Sequence, residues 1–264
     1  MRQQFQADAP VEAEVKIGMG RVDAQRAEGG TTWASVEAID PAHEPSVRLA
    51  ERSTITLVGS ALRVDIPDSG RLFRKAEVAV TFGLPAHSGL AVKGGAADVT
   101  VRGGVAGLAV KLGAGDVDVD EAEAVAVKAG RTDVSVGIGG DVAVSTGQGS
   151  LRADRVGSAA FKAGQGSARL GRTDGAVVVK GGAVELELRE AGPGEVVFQA
   201  GSGDATVGVA AGTTVELDLM SASGVVRCDL APESSAPSGG AGLRLRLRTG
   251  SGDLRVAPAM VGAV

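Results

Sequence analysis

Five aspartates recur behind glycine-rich corners of this chain: Asp98, Asp116, Asp133, Asp204 and Asp253. Carboxylates stacked at such corners are the raw material of a calcium site. Calcium-binding nonapeptide repeats place their Asp two residues beyond the last glycine of Gly-Gly-x-Gly-x-Asp. Here Asp116, Asp204 and Asp253 follow a glycine directly, while Asp98 and Asp133 lie three residues beyond the nearest one, so the calcium spacing fails in all five. Ser150, Ser167 and Glu185 also interrupt the series. An Asp that opens a strand after a tight turn and bonds local backbone amides explains the pattern more simply. Five residues earlier in the repeat runs a second series: Lys93, Lys111 and Lys128 before aspartates, and Lys162 and Lys180 before Ser167 and Glu185. Two readings of it stand open. The lysines form a candidate interaction ridge matching an anionic polymer or membrane surface. Alternatively each faces the Asp across its corner, as Lys93 would face Asp98, in exposed pairs that contribute at most about 1 kcal/mol each.

The inventory for catalysis is thin. His43 and His87 sit in Pro-flanked loops, and no Gly-x-Ser-x-Gly elbow or matching acid accompanies them. Asp118 with Asp120, or Glu185 with Glu187, are formal candidates for the paired acids of a carbohydrate-active β-helix enzyme. Such enzymes usually also carry aromatic platforms for sugars, whereas this chain has Trp33 as its one tryptophan and no tyrosine. The Gly-x-Gly corners precede strands, not helix N-termini, so they are no phosphate loops. Cys228 beside Arg227 invites a lowered thiol pKa, but a buried, inert thiol is the simpler expectation. No catalytic, cofactor-binding or metal-ligating residue is assigned, and the chain is expected not to be an enzyme.

The elements that must carry these residues come from a repeat of 17 or 18 residues. With the lysine position as anchor, copies fall at Lys93, Lys111, Lys128, Ser145, Lys162, Lys180 and Gln199, with a degenerate one at Asp218 and a last clear one at Arg248. One residue before the anchor stand Val92, Val110, Val127, Val144, Phe161, Val179, Phe198 and Leu247. The positions three before, six after and eight after are apolar as well, in two pairs of alternating residues. That is two half-buried strands joined by a tight corner. So short a unit buries no core alone and must stack, which predicts an all-β, parallel β-helix-like β-solenoid of 17–18-residue rungs with almost no helix.

An earlier copy is anchored at Lys16, after which residues 25–89 depart from the pattern. Stretches 33–39, 53–58, 62–66 and 77–82 alternate like antiparallel strands between prolines, predicting a β cap over the first open edge. The expected organisation is residues 1–89 as rung and cap and 90–264 as repeats with a C-terminal cap, in one continuous structural unit. Residues 231–242 read as a loop before the last rung, and 257–264 as an apolar tail folding over the second end.

Composition narrows the function. A net charge of −5 argues against non-specific nucleic-acid binding. One cysteine forms no internal disulfide and suits a reducing compartment. No run of 18 apolar residues predicts a transmembrane helix, and the opening residues contain no apolar signal core, so a cytoplasmic location is expected.

The run of Val-Lys-x-Gly-x-Gly-Asp-Val-x-Val units resembles the bacterial "putative adhesin" domain of unknown function called Toastrack, a β-strand repeat family. Val15-Lys16-Ile17-Gly18-Met19-Gly20-Arg21-Val22, residues 62–67 with 77–88, and residues 215–230 extend the resemblance over essentially the whole chain. It looks closest to signal-less members of actinobacterial type. The resemblance implies a β-solenoid-like fold, a role as a protein-interaction or sensing module, and no catalytic residues to carry over. A structural element that self-associates end to end, and a carbohydrate-active enzyme, are the alternatives.

Overall fold

A strand with an apolar residue at every second position can bury one face only, and in this chain the buried faces of successive repeats stack in register. The computed structural model is accordingly all-β and solenoid-like. It describes residues 2–6, 9–27, 31–67, 76–231 and 242–259. These fall into two compact units, residues 1–132 and 133–264.

The first unit contains β1 (Arg2–Gln6), β2 (Glu12–Arg26), β3 (Thr31–Ala38), α1 (Glu44–Arg52), β4 (Thr54–Val58), β5 (Ala61–Asp65), β6 (Val78–Leu84), β7 (Gly89–Arg102), β8 (Val105–Ala114) and the start of β9 (Val117–Thr173). β2, β7, β8 and β9 run parallel, each rung lying beside the next copy of the repeat. The predicted columns are its core: Val15, Val92, Val110 and Val127 are at most 1% exposed, as are Val22, Val99 and Val117. A further column, Val105 and Ala122, closes the core at the return corner.

Above β2 the cap is built in two steps. β5 and β6 continue the two halves of β2 in parallel; direction then reverses, with β4 antiparallel to β5, β3 to β6, and β1 to β3. All four predicted cap strands are present, but two of them extend the parallel rung. Between β3 and β4 lies α1, started by Pro45 in its first turn and buried through Leu49 and Ala50. The Ser46 hydroxyl accepts the Glu77 N–H and bonds His43 Nδ1 at 2.8 Å, pinning the helix start to the cap.

The second unit holds the remainder of β9, β10 (Val177–Ala191), β11 (Gly194–Ser202), β12 (Ala205–Val209), β13 (Thr214–Ser223), β14 (Val226–Cys228), β15 (Gly242–Ser251) and β16 (Leu254–Pro258). The column before the anchor alternates in size: Phe161 stands beside Val179 and Val179 beside Phe198, all buried. The spatial order then departs from the chain order. β11 pairs with β15, and β15 with β13, so the Arg248 copy lies between the Gln199 copy and the degenerate one, whose anchor place the register gives to Met220 and not to Asp218. Residues 232–241 and 260–264, which hold most of the predicted loop and tail, lie outside the described residues.

Close stacking explains the glycines two residues after the anchor. A Cβ on Gly113 would lie 2.7 Å from the Gly95 carbonyl oxygen, and one on Gly164 would lie 2.7 Å from that of Gly147. The corner two residues further on is tighter. Gly115 has φ +138, and a Cβ there would sit 1.9 Å from the Ala97 oxygen. Gly115→Ala is therefore expected to destabilise the chain by about 3 kcal/mol, since both backbone conformation and space reject it. Gly107→Ala, with nothing within 4 Å of its added methyl, should be neutral or stabilise by about 0.5 kcal/mol. Denaturant melts followed by circular dichroism check both, and equal midpoints for the two variants would contradict the stacking account.

Candidate functional site

A residue placed identically in each repeat stands over its own counterpart once the strands pair in parallel. In the first unit Lys16 lies beside Lys93, Lys93 beside Lys111, and Lys111 beside Lys128. In the second, Lys162 lies beside Lys180, Lys180 beside Gln199, and Gln199 beside Arg248. All are exposed. Two residues earlier on the same outward face stand Ala91, Ala109 and Ala126 in the first unit, and Ala160, Val178 and Val197 in the second. The result is a row of four ammonium groups in the first unit, one per rung at ~4.8 Å spacing, and a shorter pair in the second, Lys162 and Lys180, each beside short apolar side chains.

The acids that would neutralise the lysines across their corners do something else. The Lys93 ammonium bonds Glu14 on the neighbouring β2 at 2.8 Å, not Asp98. Glu14 also meets Arg63 at 3.3 Å, and its carboxyl is held below the usual range, chiefly by the hydrogen bond and charge of Lys93. Asp98 instead accepts the backbone N–H of Asp116, one rung on, at 3.0 Å. Asp133 accepts the N–H of Ser150, Asp204 that of Asp253, and Asp253 that of Val225. Four of the five aspartates, Asp98, Asp133, Asp204 and Asp253, thus clamp their rung to the backbone of the next. The expected bonding to backbone is present, though to the adjacent rung and not within the turn. Among the described residues no ion pair involves Lys111, Lys128, Lys162 or Lys180.

The other chemical candidates are accounted for locally. Asp118 and Asp120 both receive the Arg102 guanidinium, at 2.7 and 2.6 Å, which raises the arginine's pKa. Glu187 lies 3.7 Å from Arg169, and Glu185 stands beside Ser167. His87, at φ +58, bonds Glu123 at 3.0 Å on the surface. Ser46, the partner of His43, is 1% exposed and offers a substrate no approach. Trp33 has the Arg2 guanidinium 4.1 Å from its ring centroid and lies against Gly83, so its faces are occupied. Cys228 corrects an expectation: it is exposed, because among the described residues the β13–β14 rung is the last in its stack and its inward column meets no further strand. Arg172, bound to Asp174 and Glu190, belongs to an arginine–acid pattern on the outer faces that the repeat columns gave no reason to single out.

No helix among the described residues is long and apolar enough to cross a membrane. No protein-family model and no curated protein matches the chain in sequence. Solved structures do resemble it at low identity. One, described as a "putative adhesin" from Bacteroides fragilis, is 12% identical with a TM-score of 0.45, over 97% of this chain and 96% of that one. Another, a "putative lipid binding protein" from Parabacteroides distasonis, is 11% identical with a TM-score of 0.32, over 98% and 96%. A "putative cell adhesion protein" from Clostridium sporogenes is 9% identical with a TM-score of 0.21, over 98% and 99%. The functional argument therefore rests on this chain's own residues.

Two outcomes follow from these contacts. Asp98→Ala should cost about 1 kcal/mol by leaving the Asp116 N–H without its acceptor, while Asp98→Asn, which keeps an oxygen there, should cost much less. Equal losses in thermal melts would argue for a role of the charge itself. A depressed carboxyl contributes stability above its unfolded pKa and loses it as pH falls through the folded one. Glu14 should accordingly titrate below the usual carboxylate range by NMR, and Lys93→Ala should return it upward. A titration unmoved by that change would remove the Lys93–Glu14 tie.

Proposed function

We propose that this protein is a non-enzymatic β-solenoid interaction module whose lysine rows, Lys93, Lys111 and Lys128 in one unit and Lys162 and Lys180 in the other, seat acidic surface groups of a protein partner. The observation that carries the reading is that the aspartate column leaves the lysine rows unneutralised. Asp98 and Asp133, five residues beyond Lys93 and Lys128, hold backbone amides, and among the described residues only Lys93 of these five lysines makes an ion pair. Exposed ammonium groups in a flat array beside short Ala and Val side chains favour contact with a surface over capture of a small molecule. The paired acids considered for sugar hydrolysis support the same view, since Asp118 and Asp120 share one arginine. The proposal sets the module in a reducing, cytoplasmic compartment, in keeping with the lone exposed thiol of Cys228.

Binding to poly-L-glutamate, used as an acidic probe and followed by interferometry at two salt concentrations, tests the reading. The wild-type chain should bind, and weaken as salt rises. Lys111→Glu with Lys128→Glu should reduce the affinity by about tenfold or more without altering thermal stability. Binding that ignores the double variant, or is indifferent to salt, would sink the lysine reading, while cell fractionation tests the compartment separately.

A further inference from the structure

The last rung in the sequence is not the last in the stack. β15 and β16 occupy a slot between β11–β12 and β13–β14, both of which precede them in the chain. The segment between Val209 and Thr214 carries the chain past this slot from one wall to the other, a climb of two strand spacings, ~10 Å. The far wall has no other support: β13 pairs with β15 and β14 with β16, and no further strand pairs with either among the described residues.

The slot fits its occupant in three ways. Leu243, Leu245, Leu247, Leu254 and Val256 are at most 2% exposed within it. Every ion pair across it joins a base of the inserted rung to an acid of a wall: Arg246 to Glu195, Arg244 to Glu216, Arg248 to Asp218 and Arg255 to Asp229. Asp204 of one wall accepts the Asp253 N–H, and Asp253 accepts the Val225 N–H of the other. Without the insert, Glu195 and Glu216, which both stand beside Arg244, would share one column as like charges. The walls are acidic, and the segment that separates them is the arginine-bearing one.

We propose that residues 242–258 form a donor rung that a second copy of this chain can supply, giving a dimer by reciprocal exchange in which each slot holds its partner's β15 and β16. Among the described residues, strand pairing and these side-chain contacts are what hold the rung in place. Its link, residues 231–241, contains Pro232, Pro237, Gly239 and Gly240. Extended, those residues reach at most about 36 Å, enough to present the rung to a neighbouring molecule. The occupant is a copy of this chain because the matching pattern is its own. No other strand among the described residues carries arginine at three alternate positions between buried leucines, as 243–248 does. The proposal is independent of the lysine rows.

The chain's single cysteine provides the test. Cys228 stands beside Val256 in the β14–β16 pair, within the separation a disulfide spans. Val256→Cys is unfolded and refolded at low and hundredfold higher concentration, oxidised, and run on non-reducing gels, with the wild-type chain sized by light scattering after the same treatment. The expected result is a wild-type dimer that survives dilution, and a disulfide-linked dimer whose share rises on the order of tenfold with concentration. A chain monomeric under all conditions overturns the proposal. So does a dimer that never acquires the interchain bond, since it would be held elsewhere.

Discussion

The distance between stacked rungs is the constraint on which the rest depends. Parallel strands ~4.8 Å apart leave no room for a side chain wherever the backbone turns toward its neighbour. In each unit a column of glycines occupies those places, the carbonyl oxygen of one rung filling the space the next Cβ would need. That contact locks the register, and the register decides what every other column does. Apolar residues superimpose into a continuous core, and so do residues of like charge. The lysine rows are a geometric consequence of repeating the anchor, not a separately assembled cluster.

The same geometry separates two columns that look alike in the sequence. At the corner, Asp116 follows Gly115, whose positive φ belongs almost to glycine alone, and the amide of Asp116 meets the carboxylate of Asp98. A carboxylate that accepts a backbone N–H of the next rung ties the stack together and is no longer aimed at an ammonium group. Lysine has no such partner to offer. Its relief, where it comes, is from the adjacent strand, as Glu14 gives Lys93.

Much of this was legible before any coordinates. Period-two alternation at fixed offsets from the anchor identified the buried valines and leucines, and the glycine and proline breaks marked the cap strands. The order of the last rungs was not legible. Repeat spacing treats each copy as the neighbour of the one before, whereas Glu195 and Glu216 need Arg244 between their strands. The exposed thiol of Cys228 escaped for a related reason: its column is a core column, and only its place at the end of the stack leaves it uncovered. α1 was missed because nine residues with Pro45 among the first of them carry too little periodicity to announce a helix. The fifth buried column, Val105 with Ala122 and, in the second unit, Val156 with Ala191, was present in the spacing but blurred by copies of unequal length.

Folding does not ask for lysine at the anchor. Gln199 stands beside Lys180 in the same column, and Phe198 before it is as buried as Val179. Ser145, at the equivalent place in its repeat, follows an equally buried Val144. The stack therefore accepts an uncharged residue there without loss of core. Like charges one rung apart also repel, by about 0.9 kcal/mol in water before salt screening. A column that the core does not need, and that electrostatics mildly opposes, has no structural explanation of the kind that accounts for the glycines and aspartates. The aspartates illustrate the contrast: removing their acceptor oxygens would leave amides of the stack unsatisfied, whereas removing the ammonium groups of Lys111 or Lys180 would leave the rungs as they are. It is on that asymmetry, and not on the abundance of lysine, that the proposal of an interaction surface along these rows stands.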